Sequence, residues 1–359
     1  MTTNQENVVP VHNEQLGMSD NLPLVVGVDL GGTQIRTAVL RGATLLSRVG
    51  LLTGENPTPE RIIPRIIQAI HQALDNAGVT LDEIAGIGVG APGPLNPRTG
   101  VVFAPPNLAG WHNVPLGATL KEHFSVPIFI ENDANSAALG EYMFGAGQSS
   151  KEMVYLTIST GIGGGVIADG KILEGIVGTA AELGHMTIDW QGDRCNCGNI
   201  GCLESSSSGT PIARRANELV ALGKGDELLA FALSHQKISK EPDPMTGSNL
   251  APGADIHVNA RTVSMAAEAG IDVACDIIAR AAEGLGVGLV NIIHIFNPEI
   301  IILGGSVTQI GARLLEPARH IVEKRAMHIP REAVRIVMAK LGEDTGLVGA
   351  GALIYYNRN

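Results

Sequence analysis

Aromatic side chains are scarce in this chain, at 3% of 359 residues, and only 17% of its residues are charged. Basic residues are the scarcer sign: 25 Lys and Arg against 36 Asp and Glu leave a net charge of −11. A nucleic-acid partner needs a basic face, so none is expected. No apolar run reaches the roughly 18 residues of a membrane helix, so no membrane partner is expected either. Residues 1–22 are polar and lack a basic stretch followed by an apolar one. They are read as a flexible tail rather than a signal peptide, and the expected location is the cytoplasm. There is no disulfide framework: of four cysteines, three fall within eight residues, a spacing that speaks for a metal in a reducing compartment. The G-K-[ST] of a Walker A loop is also missing.

What the chain has in quantity is glycine, 45 residues, in a background that is 45% hydrophobic. This is a folded protein that uses turns and close backbone approach more than bulky packing. Its length points to two domains. LPLVVGVDLG, TQIRTAVL and TLLSRVGLL, starting at Leu22, Thr33 and Thr44, read as three successive strands. Ile62, Ile63, Ile66, Ile67, Ile70 and Leu74 recur at helical spacing. IAGIGVGAPGPL and VPIFIEN are further strands, with a helix between them at 116–124. From Glu152 the order strand, glycine turn, strand, strand returns, which suggests two related halves facing each other with one glycine turn each. Helices are expected at 209–221, 261–296 and 312–325 and in the small-residue stretch TGLVGAGALIYY. A Pro/Gly/Ser-rich surface loop is expected at 236–256.

Five sites carry chemistry. In GVDLGGTQIR, Asp29 ends a strand, and Gly31 and Gly32 allow φ > 0 and an exposed backbone whose N–H groups suit phosphate oxygens. Thr33 adds a hydroxyl, and Asp29 could hold Mg²⁺ through water. A plain glycine hairpin with a polar tip is the alternative. STGIGGGVI, Ser159 to Ile167, spends four glycines in five positions after a strand, which asks for something to approach the backbone closely. A third glycine turn, Gly304-Gly305-Ser306, also follows a strand. IENDANSAALGE places Asn132-Asp133 where a strand meets a helix. An N-cap is the ordinary use of such a pair, but the glycine turns and cysteine cluster in the same chain favour a cleft-facing carboxylate. Cys195, Cys197 and Cys202 form C-x-C-x4-C with glycines that let the loop fold round an ion. Structural zinc wants a fourth ligand, and His185 is the nearest candidate. Cys275, among Val273, Ile277 and Ile278, is read as core.

DLGGTQIR, APGPL, IENDANSAALGE, TGIGGGVI, the E-x-G-H at Glu182–His185 and CNCGNIGCLE occur in the order found in the ROK family. The family comprises bacterial sugar kinases and sugar-responsive repressors, and the resemblance runs from about residue 23 to the end. It is strongest to the glucokinases of the family. It implies an α/β, two-domain actin/hexokinase-like (ribonuclease H-like) fold around an ATP cleft. The domains would be 23–140, joined by a C-terminal helix at about 345–359, and 141–344 with the zinc loop. The resemblance makes Asp133 the general base. Asn107, Asn132, Glu182, His185 and Glu204 would contact the sugar, His185 doubling as zinc ligand. Asp29, Gly31, Gly32, Thr33, Thr160, Gly161, Gly163, Gly304 and Gly305 would line the nucleotide site. The implied reaction is ATP-dependent phosphorylation of a hexose, with Mg²⁺ and structural Zn²⁺, in a homodimer or homotetramer. A repressor would need an N-terminal helix-turn-helix, for which about 22 polar residues are too few. This chain departs from the family pattern at Gln34, at Ala181 where Gly is usual, and in SSSSG after Glu204.

Overall fold

Leu24–Leu30 is the first strand, β1, and the computed structural model describes the chain from residue 21 to 235 and from 258 to 358. The tail expected at 1–22 therefore lies almost wholly outside the described residues, as does the loop expected at 236–256. The first sheet adds β2 (Gln34–Arg41), β3 (Thr44–Leu45), β4 (Val49–Leu52), β5 (Ile84–Ala91) and, after a small hairpin of β6 (Leu95–Asn96) and β7 (Val101–Val102), β8 (Ile128–Asn132). Helices α1 (Pro59–Ala77), α2 (Leu116–His123) and α3 (Asp133–Phe144) belong to the same stretch. The order is β3-β2-β1-β5-β8, with β4 also on β2. β1 and β2 run antiparallel; β1, β5 and β8 run parallel.

The second sheet has β9 (Met153–Ile158), β10 (Ile162–Ala168), β11 (Lys171–Ile172), β12 (Ile300–Gly304) and β13 (Arg335–Met338). Its order is β11-β10-β9-β12-β13, the same path as the first. The repeat that is faint in residue identity is thus plain in topology. Between β11 and β12 lie α4 (Leu203–Ser207), α5 (Gly209–Ala221), α6 (Asp226–His235), α7 (Ala260–Glu268) and α8 (Asp272–Phe296). After β12 come α9 (Ala312–Arg325) and α10 (His328–Ala333), and α11 (Thr345–Arg358) closes the chain.

Packing follows side-chain size. α1 buries Ile62, Ile66, Ile70 and Leu74 on one face of the first sheet, and Gly78 stops the helix in the left-handed region at φ 65°. The other face takes α11, whose Gly349, Ala350 and Ala352 let it lie directly on the strands. The approach is so close that a Cβ on Gly88 would overlap the Ala350 carbonyl. α8 is the central helix of the second half, burying Ile277, Ile278, Leu285, Leu289, Ile292 and Ile293. Close-packed small residues do here what aromatic bulk does elsewhere. Among the described residues no helix is long and apolar enough to cross a membrane.

Several local expectations are corrected. The helix expected at 261–296 is two, α7 and α8, because Gly270 turns at φ +84° between them. The single strand expected from Thr44 breaks into β3 and β4. There the Ser47 hydroxyl replaces a ladder partner, accepting from Val39 N–H at 3.2 Å and donating to the Ala73 carbonyl at 2.7 Å. Helices α4, α6 and α10 and the β6–β7 hairpin have no counterpart in the sequence reading.

Candidate active site

β8 ends at Asn132 and α3 begins at Asp133. Asn132 Oδ1 accepts the N–H groups of Ala134 and Asn135, at 2.9 and 3.2 Å, so Asn132 is the cap. The Asp133 carboxylate accepts the Ala134 N–H at 2.8 Å. It is open to solvent at its surface, yet protein crowds it from behind. Burial, then the Asp29 charge and more weakly Glu182, push its pKa up to about 6. The unperturbed carboxylate value of about 3.9 therefore does not apply here.

Asp29, Glu182 and Asp133 thus share one electrostatic neighbourhood. Asp29 stands opposite Arg36 across the β1–β2 ladder, and the Arg36 guanidinium forks onto its Oδ2, with Nε at 2.9 Å. Arg36 also donates to the Glu343 carbonyl at 2.8 Å, just before α11. The pairing was not foreseen, although counting back from a hairpin turn at residues 31–34 sets Arg36 facing Asp29. The expected positive φ at Gly31 and Gly32 is absent. What needs glycine is space: a Cβ on Gly32 would stand 3.0 Å from that of Asn107, which places Asn107 against this turn. The Gly31 N–H donates to the Gln34 carbonyl at 2.9 Å. Gly93, in the APGP turn, lies beside the Asn132 amide; its Cβ would be 3.0 Å from Nδ2.

Glu182 precedes a 3₁₀ turn, Leu183–His185. Burial raises its pKa, Glu204 adds to the rise and His185 opposes it, so the three side chains converge. Glu204, in the first turn of α4, accepts the Ile162 N–H on Oε2 at 2.8 Å and brings Oε1 to 3.8 Å from Cys195 Sγ. A Cβ on Gly161 would run into the same carboxylate. The glycine run is therefore shaped by protein. Gly161 makes room for Glu204, Gly163 and Gly165 for Ala134 and Ala138 of α3, and Gly164 for Leu183. Next to it the Thr160 carbonyl accepts both N–H and hydroxyl of Thr210, at 3.2 and 2.7 Å, and Ser159 Oγ accepts the Ser306 N–H at 3.1 Å. Gly304 abuts the Tyr155 ring, and Gly305 sits at φ +91°, a conformation that leaves β12 for the turn at Ser306. The Ser159–Gly161 turn, the Gly304–Ser306 turn and the start of α5 so form one polar rim.

His185, Cys195, Cys197 and Cys202 bring one ligand atom each to within 4.8 Å of one another. Cys197 and Cys202 sulfurs are 3.7 Å apart, and Cys195 Sγ is 3.7 Å from His185 Nδ1. A tetrahedral ion with bonds of about 2.3 Å to sulfur spaces its ligands by roughly 3.8 Å, so this donor set fits a metal. The Leu203 N–H to Met186 carbonyl bond, 2.9 Å, and the Cys195 N–H to Asn199 carbonyl bond, 2.8 Å, close the loop around it. Nδ1 of His185 faces the sulfurs, which leaves Nε2 for another partner.

Glu131 was also missed. It is buried, and its Oε1 accepts the Asn132 N–H at 2.8 Å and the Asn135 amide at 3.0 Å. Burial, helped by Glu174, pushes it up to about 7. Nothing in its sequence position separates it from an ordinary strand residue.

Two sheets of identical strand order, meeting at a carboxylate-lined site with a glycine turn from each, are the marks of an actin/hexokinase-like fold. The chain belongs to the ROK family, whose model matches residues 25–356. It is 35% identical to a glucokinase of Halalkalibacterium halodurans, over 93% of this chain and 96% of that protein. It is 30% identical to a xylose repressor of Caldicellulosiruptor bescii, over 94% of this chain and 80% of the repressor. Among solved structures it resembles a ROK family glucokinase from Streptomyces griseus, in complex with glucose and AMPPNP. That match has a TM-score of 0.73 and 32% identity, over 92% of this chain and 98% of the other.

Proposed function

We propose that this protein is an ATP-dependent hexose kinase that phosphorylates the 6-hydroxyl of glucose. The observation that carries the reading is the division of labour at the start of α3: Asn132 caps the helix, so the Asp133 carboxylate beside it is not needed as a cap. Asp133 takes the proton of the 6-hydroxyl as that oxygen attacks the γ-phosphorus. The new O–P bond forms while the bond to the β–γ bridging oxygen breaks, and ADP leaves. Asn107, Asn132, Glu182, His185 and Glu204 hold the remaining hydroxyls; acceptor-only carboxylates suit a polyol. Asp29, Gly31, Gly32 and Thr33 in one half, and Thr160, Gly161, Gly163, Gly304 and Gly305 in the other, line the nucleotide side. Asp29 would hold Mg²⁺ through water, and the ion would supply charge neutralisation to the phosphates when bound. The cysteine cluster holds Zn²⁺ as structural support for His185 and Glu204. The domains correspond to 23–140 with the C-terminal helix, and 141–344.

The similarity to glucokinases, including one crystallised with glucose and an ATP analogue, supports this reading. The alternative is the same chemistry on fructose, mannose, N-acetylmannosamine or N-acetylglucosamine. The deciding experiment is ADP release with ATP and Mg²⁺ across a panel of hexoses. A higher kcat/KM for one of those sugars than for glucose would replace the sugar and keep the mechanism. No ADP release with any hexose would overturn the kinase and favour a sugar-responsive regulator. Sugars lacking the 6-hydroxyl should give none.

A further inference from the structure

Glu141, near the C-terminal end of α3, is fully buried, and nothing in the proposed chemistry uses it. Its carboxylate is met by three main-chain N–H groups. Ala146 and Lys340 donate to Oε2 at 2.8 and 3.1 Å, and Leu341 donates to Oε1 at 2.9 Å. Its own carbonyl accepts the N–H groups of Gly145 and Gly147, at 3.0 and 2.9 Å. Ala146 lies on the segment that leaves α3 for β9. Lys340 and Leu341 lie on the segment that leaves β13 for α11. These are the two passages of the chain between the halves, since β9 and β13 belong to the second sheet and α11 packs on the first. A carboxylate has only acceptors to offer and here meets only donors, so one side chain ties both passages together. One residue before it α3 meets α11, with a Cβ on Gly140 standing 2.9 Å from Gly349 Cα.

The halves also touch far from Glu141 in sequence. Arg98, in the β6–β7 turn, reaches the carbonyls of Gly175 and Ile176, each at 3.1 Å, and pairs with Glu174 at 3.5 Å. Arg98 is 60% exposed there, so this contact costs little to break. Of these two contacts between the halves, the one at Glu141 is dry and bound to main chain, and the one at Arg98 is wet and made by a flexible side chain.

We propose that Glu141 is the pivot on which the two halves turn when the cleft closes, and that the Arg98 contact is made and broken as they turn. Glu141 is a positioning residue: it touches no substrate, but the arc it allows brings the nucleotide rim to Asp133. A point that holds both passages cannot move relative to either half, whereas distal contacts must. The proposal rests on the reading that two substrates meet in this cleft.

Hydrogen exchange of the wild-type protein, free and with glucose plus AMPPNP, tests it. The amides of Ala146, Lys340 and Leu341 should be protected in both states, while the segments around Arg98 and Ile176 gain protection with ligand. Fast exchange at the three amides in the free protein overturns the pivot, as does ligand-dependent protection there. The free-protein measurement needs no substrate, so failure of the kinase reading would not be confused with failure of the pivot. As a second arm, Glu141→Gln turns one acceptor into a donor that faces donors. Misalignment at a distance should lower kcat about 10–100-fold while sugar affinity stays within about threefold. A variant that only melts earlier, with unchanged kcat per folded molecule, would show Glu141 to be mere stabilising structure. If Glu141→Gln does not fold, the exchange pattern alone decides.

Discussion

Asn132 and Asp133 are adjacent and do different work: Asn132 Oδ1 holds two helix N–H groups, and the Asp133 carboxylate beside it is raised to about 6 by burial and by Asp29. A pair that reads as a doubled cap is a cap and a candidate base.

Asp133→Asn should therefore cost activity and not the helix. Loss of a general base lowers kcat by about 10²–10⁴-fold, with sugar affinity within a few-fold and no loss of melting temperature, because the raised Asp133 pKa makes its charge a cost to the folded state above about pH 6. The wild-type pH profile adds a check. A base works only as its carboxylate, so kcat/KM should fall with unit slope as pH drops below about 6. Steady-state ADP release from pH 5 to 8 measures both.

Glu131→Gln probes the buried carboxyl behind the base. The Gln carbonyl can accept the same Asn132 and Asn135 donors. The folded protein holds the Glu131 proton up to about pH 7, while the unfolded chain releases it near 4.3. Between these values the folded state binds more protons, so this residue's contribution to stability falls as pH rises from about 4.3 to 7. The variant should lack that loss. Its denaturation midpoint, compared with wild type, should gain at pH 8 and not at pH 4.5.

Metal analysis should find close to one zinc per chain, bound by His185, Cys195, Cys197 and Cys202. Cys197 is the exposed member, so Cys197→Ser should fold, lose metal and weaken sugar binding roughly 10–100-fold, because Glu204 and His185 are held by that loop. A metal-free preparation with full sugar affinity would refute the support role.

Ala181 occupies the left-handed region at φ +64°, one residue before Glu182. A Cβ there costs about 1–2 kcal/mol, partly offset by the chain entropy that glycine adds to the unfolded state. Ala181→Gly should stabilise the protein by about 0.5–1 kcal/mol in urea titration and leave the sugar panel ranking unchanged.

The sequence by itself determined the strands and helices whose apolar spacing or glycine ends are strong: β1, β5, β8, β9, β12, α1 and α9. It singled out the four side chains, His185, Cys195, Cys197 and Cys202, that the fold brings together, because three cysteines and two glycines in one short loop have few other uses. Even the strain at Ala181 is visible as an alanine where the family pattern has glycine. These features are local, and local chemistry specifies them. Only the tertiary structure decided what the glycines are for. Gly32, Gly161, Gly163, Gly164 and Gly165 do not take positive φ; they admit Asn107, Glu204, Leu183 and α3, neighbours from 19 to 75 residues away in the chain. The same holds for the charges. Asp29 and Asp133 lie far apart in sequence, and the raised pKa of Asp133 exists only because folding packs protein behind its carboxylate and brings the two charges near each other. Glu131 and Glu141 look alike in the stretch IENDANSAALGE. Burial against two different sets of main-chain and amide donors gives one a raised pKa beside the site and sets the other at the crossing of the chain's two passages.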